Sequence, residues 1–335
     1  MLKPSRLIVT LLLALIPAQA LAWGNTGHRF IGELAVGALP SQLPGFVRTP
    51  YAVASVGEYS REPDRSKGSG KVHDLNRDPG HFVDLYDDGT VFGGPRLSAL
   101  PANRADYETA LRAVGADSWK AGYLPYSIID LYQHLTKDFA YWRVLVAAEK
   151  LDANKDHKAW MRADRVRREA LILATMGQLS HMVGDGSQPL HVTIHYNGWG
   201  DFPNPQGFTQ ARIHGPFESD FVHANVRRAD IASRLTPYRA CGCPIEQRVP
   251  AYLAVAGGQV ETLYQLEKSG AFATATPRGI AFAADRMAAG ASELRDLIVD
   301  AWIASEKTTV GWPAVSLADV QSGKVKAYDN LYGID

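Results

Sequence analysis

The sequence predicts an all-α protein, one multi-helix domain carrying two long loops. Three observations lead there. Apolar residues recur at spacings of three and four over most of the chain, the periodicity of helices with one buried face. That pattern lapses over only two Gly- and Asp-containing stretches, near 59–101 and 195–208. No internal repeat, low-complexity tract or linker divides the chain.

Taken in order, residues 1–22 read as a leader. Lys3 and Arg6 precede an apolar run from Leu7 to Ile16, and Ala20-Leu21-Ala22 fits a small-x-small cleavage site. The run is too short to span a bilayer as a mature helix. Cleavage after Ala22 leaves a domain of residues 23–335 that begins at Trp23 and is exported to the periplasm or beyond. Residues 26–39, "TGHRFIGELAVGAL", read as its first helix.

The segment 59–101 is rich in Gly, Asp, Pro and Arg, with short extended pieces such as "HFVDLY". A loop of that length in a compact domain is commonly functional. Residues 126–150 set Ile128, Leu131, Leu135, Phe139, Trp142 and Leu145 on one helical face. Residues 165–184 do the same with Ala170, Leu171, Ala174, Leu179 and Val183, until Pro189 forbids continuation. After the aromatic stretch 195–208, residues 214–235 read as a continuous helix with Pro216 near its first position. Residues 249–268 and 277–305 supply two more.

Composition narrows the functional classes. The 35 basic and 35 acidic side chains cancel, and loss of Lys3 and Arg6 with the leader tips the mature chain slightly acidic. No basic excess exists to hold nucleic acid by general electrostatics, so any phosphate binding must be local. A hydrophobic content of 46% supports a substantial core. The two cysteines, Cys241 and Cys243 in "ACGCP", suggest a local clip, not a disulfide framework.

The densest chemical signal is "HMVGDGSQPLH". His181 and Asp185 are four apart on a predicted helix and leave the same face. Gly186, Ser187 and Pro189 end that helix and let His191 fold back. His214 and Glu218 repeat the spacing at the start of the next helix. Imidazoles and carboxylates so placed can converge on a divalent transition metal without backbone strain. A single such pair is more often a surface ion pair. Two pairs plus His191, set among Leu179, Met182, Val183, Leu190 and Val192, point instead to a metal site at the edge of a core. Upstream, His81 and Asp84 in "DPGHFVDLYDD" and Asp64 in "REPDRSK" offer donors for a second ion. His73, His134, His157, His195 and His223 lack partners at ligand spacing, and His134 reads as structural within its helix.

In order along the chain, "WGNTGH", "HFVD", "H-x-x-x-D-x-x-Q-P-L-H" and "H-x-x-x-E" resemble the S1/P1 nuclease and zinc-dependent phospholipase C superfamily. The resemblance covers essentially the whole mature chain. It implies a helical fold with three zinc ions in one cleft, and it gives the tryptophan behind the leader a purpose. In that family the first residue is a tryptophan whose free amino group and carbonyl oxygen bind zinc, a ligand that exists only after cleavage. Carried over, Trp23, His28 and Asp185 hold one zinc. Asp64, His81, His181 and Asp185 hold a second, with Asp185 as the bridge. His191, His214 and Glu218 hold the third. The family's first carboxylate lies in a Trp-Ala-Asp stretch that is absent here, which leaves Glu58 as a competitor to Asp64; Asp64 lies nearer His81 and matches the family's aspartate.

The implied reaction is hydrolysis of phosphodiester bonds by metal-activated hydroxide, with Lys67 and Asp84 beside the metals as candidate catalytic groups. "WGNTGH" resembles the nuclease branch, which implies cleavage of single-stranded DNA and RNA to 5′-phosphorylated products by a monomer. Phe82, Tyr196 and Trp199 are candidate base-stacking residues. Glu218, where nucleases usually carry aspartate, resembles the phospholipase branch, and "HYNGWGDFPNP" replaces a Gly-Gly-Asn element common in nucleases. Phosphatidylcholine-like lipid is therefore the alternative substrate. An exported zinc-binding protein without catalysis is the non-enzymatic alternative, disfavoured by the complete donor set.

Overall fold

The computed structural model describes residues 23–333, so the leader lies outside the described residues. Two antiparallel helices, Leu124–Leu151 and Lys155–Ser187, form the frame. The turn between them is short because Asn154 caps the second helix, its side-chain oxygen accepting from the backbone N–H of Asp156 at 2.8 Å. Pro277–Ala304 lies across both, started by the Thr276 hydroxyl accepting from Gly279 N–H at 3.2 Å. Pro50–Tyr59 packs on Lys155–Ser187, and Gly24–Gly37 packs against Pro50–Tyr59, Pro277–Ala304 and the long helix.

Glycine permits one of these contacts. A Cβ on Gly177 would fall 2.3 Å from the Cβ of Tyr59. Its absence lets the end of Pro50–Tyr59 lie directly on the long helix, which brings the Ser60 carbonyl to His181. The main core runs through Ile31, Val56, Ile128, Leu135, Phe139, Leu179, Leu253, Leu263, Leu294 and Ile298. A smaller cluster around Val144, Met161, Val310 and Val320 fastens the C-terminal segment to the far end of the helical pair.

Several sequence expectations change. The irregular segment after Tyr59 holds the short helices Glu62–Arg65 and Lys71–Arg77 and a 3-10 turn at Asp78–His81. Its extended pieces form only isolated bridges, Val83 with Gly122 and Leu85 with Val91. The stretch 214–235 is not one helix. Its first turns, Pro216–Phe221, wind as a π-helix, followed by short helices at Val222–Asn225 and Arg228–Ala232. Residues 249–268 divide into Ile245–Gly257 and Val260–Lys268. On Lys155–Ser187 the buried stripe is Ile172, Leu173, Met176, Leu179 and Val183; Ala170 and Leu171, expected on the buried face, are exposed, because the face that packs on the neighbouring helices runs through the residues beside them. Cys241 and Cys243 are joined as a disulfide. No helix among the described residues is long and apolar enough to cross a membrane.

Candidate metal centre

The site assembles at the C-terminal turn of Lys155–Ser187. His181 and Asp185 occupy adjacent turns of one face, and both are fully buried. Gln188 ends the helix by accepting Leu190 N–H on its side chain at 3.0 Å, and the Pro189–His191 turn folds His191 back toward the cluster. The N-terminal helix delivers His28, the Asp78–His81 turn delivers His81, and Glu62–Arg65 delivers Asp64.

These side chains meet around Asp185. One carboxylate oxygen faces His28 Nε2 at 3.3 Å. The other faces His81 Nδ1 at 3.0 Å and His181 Nε2 at 3.3 Å. Asp64 Oδ1 stands 3.8 Å from His181 Nε2 and 4.0 Å from His81 Nδ1. A further group forms at the π-turn, where Glu218 Oε2 lies 2.8 Å from His214 Nε2 and 3.6 Å from His191 Nε2. Three sets therefore each bring ligand atoms within 4.8 Å of one another: His28, His181 and Asp185; Asp64, His81 and His181; His191, His214 and Glu218. Each set could hold a metal ion. His181 belongs to two of them, and Asp185 touches the histidines of both.

The backbone fixes which ring nitrogens point inward. His181 Nδ1 donates to the Ser60 carbonyl at 2.7 Å, leaving Nε2 for the cluster. His191 Nδ1 donates to the His81 carbonyl at 2.7 Å, again freeing Nε2. Such orienting carbonyls are what metal-binding histidines ordinarily require. Neither carbonyl is visible as a site residue in sequence, because any residue type supplies one. Gln188, whose amide nitrogen reaches Glu218 Oε2 at 3.3 Å, was visible inside "SQPLH" but carried no ligand signal of its own.

The electrostatics favour a cation. Both ring nitrogens of His28, Asp185 Oδ1, His191 Nε2 and Glu218 Oε1 are buried without a hydrogen-bond partner among the described residues. Leaving buried polar atoms unpaired costs on the order of 1–3 kcal/mol each, and cations in the respective sets could satisfy the inward-facing ones, His28 Nε2 and Asp185 Oδ1 in one and His191 Nε2 and Glu218 Oε1 in another. Burial, followed by the charge of His181, lowers the pKa of His28. Burial and then Lys67 push His81 down to about 4, so both rings keep the lone pair a metal needs. Burial would also depress His191, but Asp185 and Glu218 override it and raise its pKa to about 9. A metal ion would take the place of that proton. For Asp185, burial pushes the pKa upward, and the His181 and His191 charges overcome it to hold the carboxylate well below its usual range.

The two candidate carboxylates differ in position. Glu58 sits on the surface among Arg29, Arg61 and Arg65, at 2.6, 2.8 and 3.2 Å. Asp64 is 8% exposed beside His81 and His181. Lys67 Nζ lies 2.6 Å from Asp64 Oδ1, and that carboxylate outweighs the effect of burial to raise the lysine pKa. Asp84 is buried, and desolvation drives its carboxyl well above the ordinary value, with His191 only partly offsetting it.

Trp23 is fully buried against the same helix end. Its indole N–H donates to the Gly184 carbonyl at 2.8 Å and the Ser187 hydroxyl at 2.9 Å, anchoring the start of Gly24–Gly37 beside Asp185. Its carbonyl accepts from Gly27 N–H at 3.0 Å.

The stacking candidates fare differently. Tyr196 is half exposed and Phe82 partly buried. Trp199 is no open platform: it is 7% exposed, with His195 stacked on it at 3.9 Å and Phe208 and Tyr264 around it. The same contacts occupy His195, whose nitrogens meet the Trp199 carbonyl at 2.8 Å and Asp87 at 3.1 Å, outside the metal sets. His134 is not a core histidine; its side chain is 61% exposed beside Asp138.

A cavity of about 1030 Å³ lies beyond Leu85 and Val192, and no candidate ligand lines it. A second, of about 880 Å³, reaches the cluster at His81. No protein-family model matches the chain, and no curated protein matches it.

Proposed function

We propose that this chain is an exported, zinc-dependent phosphodiester hydrolase of the S1/P1 nuclease type, acting on single-stranded DNA and RNA. The observation that carries the reading is the placement of Asp185, whose two oxygens face separate histidine groups, with the His191, His214 and Glu218 set alongside. Mixed imidazole and carboxylate donor sets without thiolate suit zinc. Trp23 and His28 with Asp185, then Asp64, His81, His181 and Asp185, then His191, His214 and Glu218 would hold three ions.

Bound there, zinc supplies Lewis-acid charge for phosphoryl oxygens and lowers the pKa of water. The chain's own groups complete the environment. Lys67 steadies Asp64 and keeps a cation at the rim of the cluster. Asp84 is buried near His191, and desolvation favours its protonated form, which makes it a candidate proton donor on that side. The Ser60 and His81 carbonyls hold the rings of His181 and His191 with Nε2 facing the cluster, which limits the reorganisation that binding requires.

Glu218 supports a second reading, phospholipase C activity on phosphatidylcholine-like lipid, since it stands where the nuclease branch usually has aspartate. A side-by-side assay of single-stranded DNA, RNA and phosphatidylcholine with zinc-loaded protein separates the two. Cleavage of the strands to 5′-phosphorylated products supports the nuclease. Rapid release of phosphocholine with both strands intact would overturn it. Zinc binding with no hydrolysis of any of the three would leave only the non-catalytic reading.

A further inference from the structure

The 880 Å³ cavity that begins at His81 has a charge pattern no candidate ligand explains. Arg104 lies with its guanidinium carbon 3.4 Å from the centre of the Tyr123 ring. That ring is packed over Gly80, where an added Cβ would lie 3.1 Å from two ring atoms, and Tyr123 N–H donates to the Pro79 carbonyl at 2.8 Å. The Arg104–Tyr123 stack is therefore fixed to the same turn that presents His81. Arg77 lines the cavity as well. Neither Arg77 nor Arg104 has an acidic partner among the described residues. Of the two lining carboxylates, Glu62 is neutralised by Arg65, and Asp130 stands alone.

Stacking on a ring face leaves the in-plane N–H groups of a guanidinium free, the edge that binds phosphate through two parallel hydrogen bonds. The volume lies within the range that encloses a small organic ligand. We propose that this cavity is a strand-holding subsite, resting on the nuclease reading above. It takes the nucleotide next to the scissile linkage, with Arg104 and Arg77 gripping that nucleotide's phosphate; the buried Tyr123 serves only to hold the Arg104 guanidinium in place. Its effect is to favour longer strands over dinucleotides, without a basic surface elsewhere.

The test compares KM and its salt dependence for a dinucleoside monophosphate and for a strand of about ten nucleotides. The proteins are zinc-loaded wild type, Arg104→Ala, Arg77→Ala, Arg104→Lys and Asp130→Asn. Each arginine-to-alanine change is expected to raise KM for the long strand about tenfold, the loss of one charge-assisted contact. The change for the dinucleotide should be several times smaller. The log–log salt slope should fall by about 0.7 per phosphate contact removed from a single strand. Arg104→Lys should fall between wild type and alanine, because it keeps the charge and loses the planar stack. Asp130→Asn should tighten the long strand. Equal KM changes at both lengths, or none, would overturn the subsite while leaving the nuclease standing. A fall in zinc content or Tm in Arg104→Ala and Arg104→Lys alike would give Arg104 a structural role instead. Failure of wild type to cleave any single strand would bring down the subsite and the nuclease together.

Discussion

Asp185→Asn is the most demanding test of the metal centre. The substitution keeps shape and volume and removes only the charge and one acceptor. Asp185 is fully buried and lies within 3.3 Å of His28, His81 and His181, so no water or neighbouring carboxylate can replace it at all three. Mutating a residue that merely orients a metal ligand typically costs about 10- to 100-fold in affinity. A carboxylate that itself faces two donor sets should cost at least about 100-fold at each, or roughly 2.7 kcal/mol per ion by the same arithmetic. The expected result is loss of more than one zinc equivalent by elemental analysis after dialysis, near-complete loss of hydrolysis, and retention of the His191, His214 and Glu218 ion. The matched control is Glu58→Gln, which disturbs a surface arginine cluster and should leave zinc content unchanged. Full metal content at undiminished affinity in Asp185→Asn would refute the shared-carboxylate argument, whatever happened to activity.

Other outcomes follow from the same geometry. If the Trp23 amino group is a ligand, one extra residue before it should lower zinc occupancy and turnover together, read by elemental analysis and assay; full occupancy with the extension would contradict it. Trp199→Ala should act as a core truncation, costing about 3–5 kcal/mol in chemical denaturation, and an effect confined to strand binding would contradict the burial described above. Asp84 has a raised folded-state pKa, so its contribution to stability is present below the ordinary carboxylate pKa and is lost as pH rises through the raised value. Asp84→Asn is neutral throughout; in zinc-free protein it should raise Tm at about pH 8 and give no gain near about pH 4, while impairing turnover of the loaded enzyme. An equal Tm change at both pH values would exclude the buried-carboxyl explanation.

The parts of the centre that sequence exposed are those whose geometry is local. His181 and Asp185 share a face because a helix repeats every 3.6 residues, and His191 returns because Pro189 stops that helix. Those two facts are written in "HMVGDGSQPLH". The His214 and Glu218 spacing was legible too, yet the winding that carries it was not. Pro216–Phe221 runs as a π-helix, and nothing in its composition distinguishes that from the α-helix its apolar spacing suggests. The altered winding still brings the two side chains together, with Glu218 Oε2 2.8 Å from His214 Nε2, so the pairing does not depend on the type of helix.

Long-range placement was legible only where few arrangements were possible. Asp64 and Glu58 are equally plausible as carboxylates by type. The deciding difference is that Glu58 falls among three arginines on one side of its turn, while Asp64 enters the buried side, and that sorting depends on the packing of Pro50–Tyr59 against Gly177. The aromatic loop shows the opposite failure. Trp199 is a candidate stacking residue in the sequence because it lies in an irregular stretch, 195–208, rich in glycine and aromatic residues, with Gly198 and Gly200 beside it. The same glycines, both at positive φ, are what fold the loop back so that the indole is covered by His195, Phe208 and Tyr264. Irregular backbone says nothing about exposure when its own side chains can form a small core. A binding surface for nucleic acid is therefore better sought where cationic groups lack acidic partners beside the cavity at His81, and Arg104 and Arg77 meet that condition where the covered Trp199 offers nothing.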